Sequence, residues 1–161
     1  VELCRIILEN FEAPDAIAGV ATGAIAQGAL VADSLGLPYV YVRSTPKDHG
    51  LENLIEGNLK PGQKVVVIED LISTGGSSLK AVEAIRAAGC EVVGMAAIFT
   101  YGFPVAVKRF TEAGVKLITL SNYNSMLEAA LETDYIKPDD LETLKQWRKD
   151  PASWSPAPKA D

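Results

Sequence analysis

The stretch KVVVIEDLISTGGSSLKAVEAI, residues 64–85, constrains the fold more than any other part of the chain. Four consecutive β-branched residues, Val65, Val66, Val67 and Ile68, read as a strand buried on both faces, as in a parallel sheet covered by helices. Glu69 and Asp70 follow at its carboxyl end. Residues 73–78 have small side chains or none, so backbone N–H groups can approach a ligand closely where the next helix begins. Such a strand, loop and helix start make an anion site. An isolated Glu-Asp pair reads more simply as a solvated turn with helix N-terminal charge than as a ligand contact. Ligands of doubly wound sheets, however, bind beyond the carboxyl ends of the strands. Carboxylates there accept hydrogen bonds from vicinal hydroxyls, and the N–H cradle takes a phosphate. A diol beside a phosphate means a ribose phosphate.

The rest of the chain supplies the same alternation. VELCRIILENF opens with Leu3, Ile6, Ile7 and Phe11 at helical spacing. A strand over 16–20, a small-residue loop over 21–26, a helix to about Leu35 and a strand over 39–42 complete one βαβ unit. STPKDHGLENLIEGNLKPGQ reads as a long polar loop with short strand character around residues 55–59, and loops of that length in a compact domain are commonly functional or disordered. A strand at EVVGMAAIFT, a helix around 104–113 and a strand at KLITL follow. Strands alternating with helices predict an α/β fold, a doubly wound, mostly parallel sheet flanked by helices. NYNSMLEAALETDYIKPDDLETLKQWRKD predicts helix with a break near Pro138, with Trp147 as a packing residue. Residues 1–150 are expected to form one core domain and residues 151–161, PASWSPAPKAD, a Pro/Ala-rich tail.

Composition narrows the chemistry. The 161 residues carry a net charge of −6, which argues against a surface for nucleic-acid backbones or acidic membranes. One His and two distant Cys, Cys4 and Cys90, do not make a His- or Cys-based metal site, and both cysteines are expected to be reduced and buried. No apolar run approaches the ~20 residues that span a bilayer, so a cytoplasmic protein is expected. A dinucleotide G-x-G-x-x-G is absent, as is the Walker G-x-x-x-x-G-K-[ST].

VVVIEDLISTGG resembles the phosphoribosyl-pyrophosphate (PRPP) signature of type I phosphoribosyltransferases: apolar strand, two acids, two apolar residues, then a Thr/Gly-rich loop. By that resemblance Glu69 and Asp70 contact the ribose hydroxyls, while Ser73, Thr74, Gly75, Gly76 and Ser77 surround the 5′-phosphate. VATGAIAQG, taken alone, reads equally as close helix packing. The resemblance makes Thr22, Gly23 and Ala24 the pyrophosphate loop, with Gly23 standing where many orotate members have Lys. YVRSTPKDHG resembles the R-x-x-x-K-D-H-G catalytic loop of orotate phosphoribosyltransferases, matching at Arg43, Lys47, Asp48 and His49, and Ile55, Glu56 and Gly57 follow at the family interval. A Lys, a His and an Arg in a loop are otherwise an ordinary solvated surface.

The resemblance implies transfer of the phosphoribosyl group of PRPP to orotate, giving orotidine 5′-monophosphate and pyrophosphate in de novo pyrimidine biosynthesis. It assigns Lys47, His49 and Asp70 to catalysis, with Arg43 among the PRPP-binding residues. It implies Mg²⁺ held by PRPP and water near Glu69 and Asp70 rather than by direct protein ligands, and a homodimer with shared active sites. The family's N-terminal hood, which contacts the base, has no counterpart from Val1 onward, so these residues are expected to bind PRPP better than they turn it over. AIFTYGFP lacks the Arg that some members place near the base, leaving Phe99 and Tyr101 there. Two other readings share the IEDLISTGG motif: a purine phosphoribosyltransferase, which does not need the K-D-H loop, and a non-catalytic PRPP sensor, which would carry a basic surface.

Overall fold

Val65, Val66, Val67 and Ile68 are all completely buried, and they lie in the middle of a sheet rather than at its edge. The computed structural model describes residues 2–43 and 54–155. Among the described residues the elements are α1 (Glu2–Asn10), β1 (Ala16–Val20), α2 (Ile25–Leu35), β2 (Tyr39–Val42), β3 (Ile55–Glu56), β4 (Lys64–Ile72), α3 (Gly76–Ala87), β5 (Glu91–Thr100), α4 (Pro104–Glu112), β6 (Leu117–Asn122), α5 (Tyr123–Glu132) and α6 (Pro138–Lys149). The described strands form one sheet of order β3-β2-β1-β4-β5-β6. All neighbours are parallel except β3, which pairs antiparallel with β2 at the edge.

Alternation along β4 divides the core in two. Val65 and Val67 pack with Ala81, Val82 and Ile85 of α3 and with Ala106 and Phe110 of α4. Val66 and Ile68 pack on the opposite face with Leu3, Ile6 and Ile7 of α1 and Val31 and Ala32 of α2. Side chains of a strand alternate between faces, so an unbroken apolar run requires a helical layer on each side. The expected doubly wound sheet is the result.

The structure differs from the sequence reading in three places. Strand β4 does not stop before the acids: Glu69 pairs with Ala97, Leu71 with Phe99 and Ile72 with Thr100 of the long strand β5, so the ladder carries the chain four residues further. Strand β3 is confined to two residues, because Gly57 turns the chain out of the sheet at φ +120. Cys90 is buried as expected but Cys4 is half-exposed; both are free.

After β6 the chain adds α5 and α6, with the expected break before Pro138. Asn122 caps α5 by accepting from the N–H groups of Asn124 and Ser125. Helix α6 buries no residue completely. It is held by Trp147, whose ring lies 5.6 Å from Tyr101 and 5.4 Å from Tyr123, by the Leu144 carbonyl, which accepts from the Tyr123 hydroxyl at 3.1 Å, and by Arg148. The Arg148 guanidinium donates to the carbonyls of Tyr101 at 2.8 Å and Gly102 at 3.1 Å, and to Asn124 Oδ1 at 2.9 Å. Trp147 is thus the packing residue expected of it. No helix among the described residues is long and apolar enough to cross a membrane.

Ile68 fills the layer between β4 and α1–α2 with no exposure. Ile68→Ala is therefore expected to destabilise the fold by about 2–5 kcal/mol, the range for truncating a buried large aliphatic side chain. Urea unfolding followed by far-ultraviolet circular dichroism measures this directly.

Candidate active site

Strands β1 and β4 are neighbours, yet the chain leaves them in opposite directions. From β1 it passes through α2 to β2, and from β4 through α3 to β5, on the other face of the sheet. Where two such connections diverge, a crevice opens beyond the carboxyl ends of the strands. A cleft of about 290 Å³ occupies this position, lined by Val20 at the end of β1, by residues 21–23 after it and by Glu69, Asp70, Leu71 and residues 73–78 of the β4–α3 junction.

The β4–α3 loop is a run of unpaired donors. The N–H groups of Thr74, Gly75, Gly76, Ser77 and Ser78 make no hydrogen bond among the described residues, and the first helical bond is Leu79 N–H to Gly75 O at 3.0 Å. Gly75 has φ +77, a conformation open to glycine, and a Cβ there would stand 2.8 Å from the Phe110 ring. The loop can curl this tightly against α4 only because that side chain is missing. Free N–H groups at the start of a twelve-residue helix give the cleft positive potential without a charged side chain.

Opposite them, the two acids differ in role. Glu69 is 5% exposed, and both its oxygens are engaged: Oε1 accepts from the Asp70 N–H at 3.0 Å and Oε2 from the buried Ser78 hydroxyl at 2.8 Å. Burial is the main cause that pushes its carboxyl up to about 7, with the neighbouring Asp70 adding to it and the Ser78 hydrogen bond opposing it. Asp70 is half-buried. Its Oδ1 accepts from the Leu71 N–H at 2.7 Å, and its Oδ2 lies against Gly23, where a Cβ would come within 1.9 Å. The absence of a side chain at position 23 lets the two loops meet across the cleft.

Thr22 and Gly23 line the cleft with exposed backbone, and their N–H groups are free among the described residues. The Ala21–Thr22 peptide bond is cis. Ala24 is buried beneath them, its N–H bonded to Val20 O at 3.0 Å. The structure therefore brings together Thr22, Gly23, Glu69, Asp70, Ser73, Thr74, Gly75, Gly76 and Ser77. Arg43 stands apart from that lining, at the end of β2, paired with Glu56 of β3 at 3.3 Å. Lys47 and His49 lie outside the described residues. Two residues had escaped the sequence reading. Ser78 reads in the sequence only as one more small residue, its hydroxyl nine positions after the acid that it meets. Arg109 of α4, which donates to Thr74 O at 3.1 Å, carries no local signal at all.

The lining contains two carboxylates and, among the described residues, no Lys, Arg or His. Nor do three His, Cys, Asp or Glu side chains converge there in a way that could hold a metal alone. Free N–H groups on one wall and an available carboxylate on the other suit a ligand carrying both phosphate and hydroxyl groups.

Comparison with known proteins decides the family. The phosphoribosyl transferase domain model matches residues 2–131. The orotate phosphoribosyltransferase of Phocaeicola vulgatus is 71% identical over 154 residues, covering 96% of this chain and 73% of that protein. The chain belongs to the orotate phosphoribosyltransferase family. Among solved structures, orotate phosphoribosyltransferase from Aeropyrum pernix superposes with a TM-score of 0.71 at 28% identity, over 84% of this chain and 76% of that one. Adenine phosphoribosyltransferase from Thermoanaerobacter pseudethanolicus follows at TM-score 0.63 and 26% identity, over 76% of this chain and 77% of that one. The purine relative shares the phosphoribosyltransferase fold, while the stronger sequence match is to the orotate branch and runs past residue 131 into the C-terminal helices.

In this orotate-family core the burial of Glu69 carries a pH dependence. The folded protein holds the Glu69 proton more tightly than the unfolded chain, so the stabilisation is complete below pH 4.5 and is lost as pH rises through 7. A shift of this size corresponds to ~3 kcal/mol across the interval. Glu69→Gln keeps an acceptor for its neighbours and removes the titration. Thermal unfolding of the ligand-free protein between pH 5 and pH 8 is expected to show a decline in the parent and a flatter profile in the variant.

Proposed function

We propose that the protein transfers the phosphoribosyl group of PRPP to N1 of orotate, releasing pyrophosphate and forming orotidine 5′-monophosphate. The observation that carries this reading is the pairing, across one cleft, of five unpaired backbone N–H groups with the open carboxylate of Asp70. The N–H groups would take the 5′-phosphate, with the Ser73, Thr74 and Ser77 hydroxyls beside them. Asp70 would accept from the ribose 2′- and 3′-hydroxyls. Glu69, both of whose oxygens are already engaged, contributes more to the shape of this wall than to direct contact. Thr22 and Gly23 would offer their N–H groups to the pyrophosphate. The K-D-H loop and the 71% identity to an orotate enzyme favour orotate over a purine as acceptor.

In the reaction the bond from ribose C1 to the pyrophosphate oxygen breaks, and its electron pair leaves with pyrophosphate. Positive charge develops on the ribose, as in other glycosyl transfers, and orotate N1 forms the new bond as its proton passes to the departing pyrophosphate or to solvent. No covalent enzyme intermediate is needed. Lys47 would stabilise the charge gathering on pyrophosphate and His49 would donate to one of its oxygens, so that binding is stronger in the transition state than in the ground state. Among the described residues the cleft lining provides no cation, and the half-buried Asp70 carboxylate lines the cleft, which suits a hydrated Mg²⁺ held mainly by PRPP oxygens and by water near Asp70 and Glu69. Bound there, Mg²⁺ would offset the negative charge of the pyrophosphate group. Arg43, fixed to Glu56, would anchor the first residue of the K-D-H loop. A homodimer in which that loop completes the partner's site, and a cytoplasmic location, belong to the same reading.

The decisive assay supplies PRPP and Mg²⁺ with either orotate or adenine and follows pyrophosphate release. Release with orotate alone is the expected result; release with adenine alone would replace this reading with a purine one, and PRPP binding without release from either would indicate a sensor. Asp70→Asn preserves shape and removes charge, so calorimetry is expected to show PRPP binding weakened by roughly 1–3 kcal/mol. Orotate affinity should change far less.

A further inference from the structure

We infer that Arg109, on α4, is a positioning residue that sets the direction of the Gly75 N–H in the phosphate cradle. The inference rests on the phosphate-site reading of the cleft. Arg109 Nη1 donates to the Thr74 carbonyl at 3.1 Å, from a helix 35 residues further along the chain. The Thr74–Gly75 peptide is trans, and in a trans peptide the carbonyl and the following N–H point in opposite directions. Holding the Thr74 oxygen toward α4 therefore turns the Gly75 N–H away from α4, on the side of the cleft that Gly75 lines. Without that bond the peptide could reverse. Glycine at position 75 tolerates both orientations, and a flipped peptide would aim a carbonyl oxygen at the phosphate.

Phe110 restrains the same peptide from the adjacent position. Its ring closes on Gly75, with 2.8 Å left to a Cβ there, so consecutive residues of α4 hold the loop by a hydrogen bond and by packing. Arg109 also lies beside the first turn of α3, its Nη1 3.7 Å from where a Gly76 Cβ would stand. It is the one Lys or Arg that hydrogen-bonds to the cradle among the described residues, and it does so through the backbone oxygen, leaving the donors of the loop free.

The test titrates the parent, Arg109→Ala and Arg109→Lys with ribose 5-phosphate and with inorganic phosphate by calorimetry, and records the Gly75 amide resonance of each ligand-free protein. Arg109→Ala is expected to weaken both ligands by roughly tenfold, the loss of one charge-assisted hydrogen bond, and to move the Gly75 resonance. Arg109→Lys, which keeps a donor, should restore the resonance and most of the affinity. Steady-state turnover should show the loss in KM for PRPP and leave kcat nearly unchanged. Unaltered ligand affinity in Arg109→Ala overturns the inference, and so does weaker binding with an unmoved Gly75 resonance, which would assign the effect to charge alone. If Arg109→Ala unfolds, the Lys variant and the phosphate-induced shift of Gly75 in the parent decide the matter: an unshifted Gly75 overturns it. Failure of the parent to bind either phosphate would instead refute the phosphate-site reading itself.

Discussion

Four successive side chains of β4 are removed from water, two toward each helical layer, and the need to cover both faces at once determines how the rest of the chain is arranged. Leaving one face bare would expose several large aliphatic groups, each worth about 1.5–3 kcal/mol on burial. Helices α1 and α2 cover one side and α3 and α4 the other. Because the layers are filled by connections that leave β1 and β4 in opposite senses, the cleft at their carboxyl ends is a by-product of covering β4. The chemistry sits where the packing cannot close.

Within that cleft the protein separates shaping from contact. Glu69 is buried, bonded to Ser78 and to the Asp70 backbone, and ties the end of a strand to the first turn of a helix. Asp70, one residue later, faces the other way, as strand alternation demands, and remains available. Adjacent acids that look equivalent in sequence therefore have different surroundings, and burial raises the proton affinity of Glu69.

How far the sequence could be read depended on the range of each interaction. Strands β1 and β2 fall at residues 16–20 and 39–42, as their apolar runs indicate, and the Ser/Thr/Gly loop lines the cleft as its small side chains suggest. Those signals are local. The extension of β4 through the acids to Ile72 needed partners from β5, and a strand's length is not written in its own residues alone. The Arg43–Glu56 pair spans thirteen residues and the Arg109–Thr74 bond thirty-five. Such contacts exist only once the chain is folded, so an arginine on a helix surface gives no sign of the carbonyl it will meet.

Helix α6 has a further consequence for how the molecule opens. It shares no fully buried side chain with the core and is fastened by the Trp147 ring, by the three bonds of Arg148 and by the Leu144 carbonyl, which accepts from the Tyr123 hydroxyl. Elements attached so sparsely open at lower free energy than the whole, as cooperative units seen in amide exchange. Two of those bonds end on the Tyr101 and Gly102 carbonyls, in a turn that also has bonds of its own, Tyr101 N–H to Ile72 O at 3.1 Å and Gly102 N–H to Thr100 Oγ1 at 3.0 Å. Helix α6 can therefore open as a unit while the strand end beside the cleft stays in place.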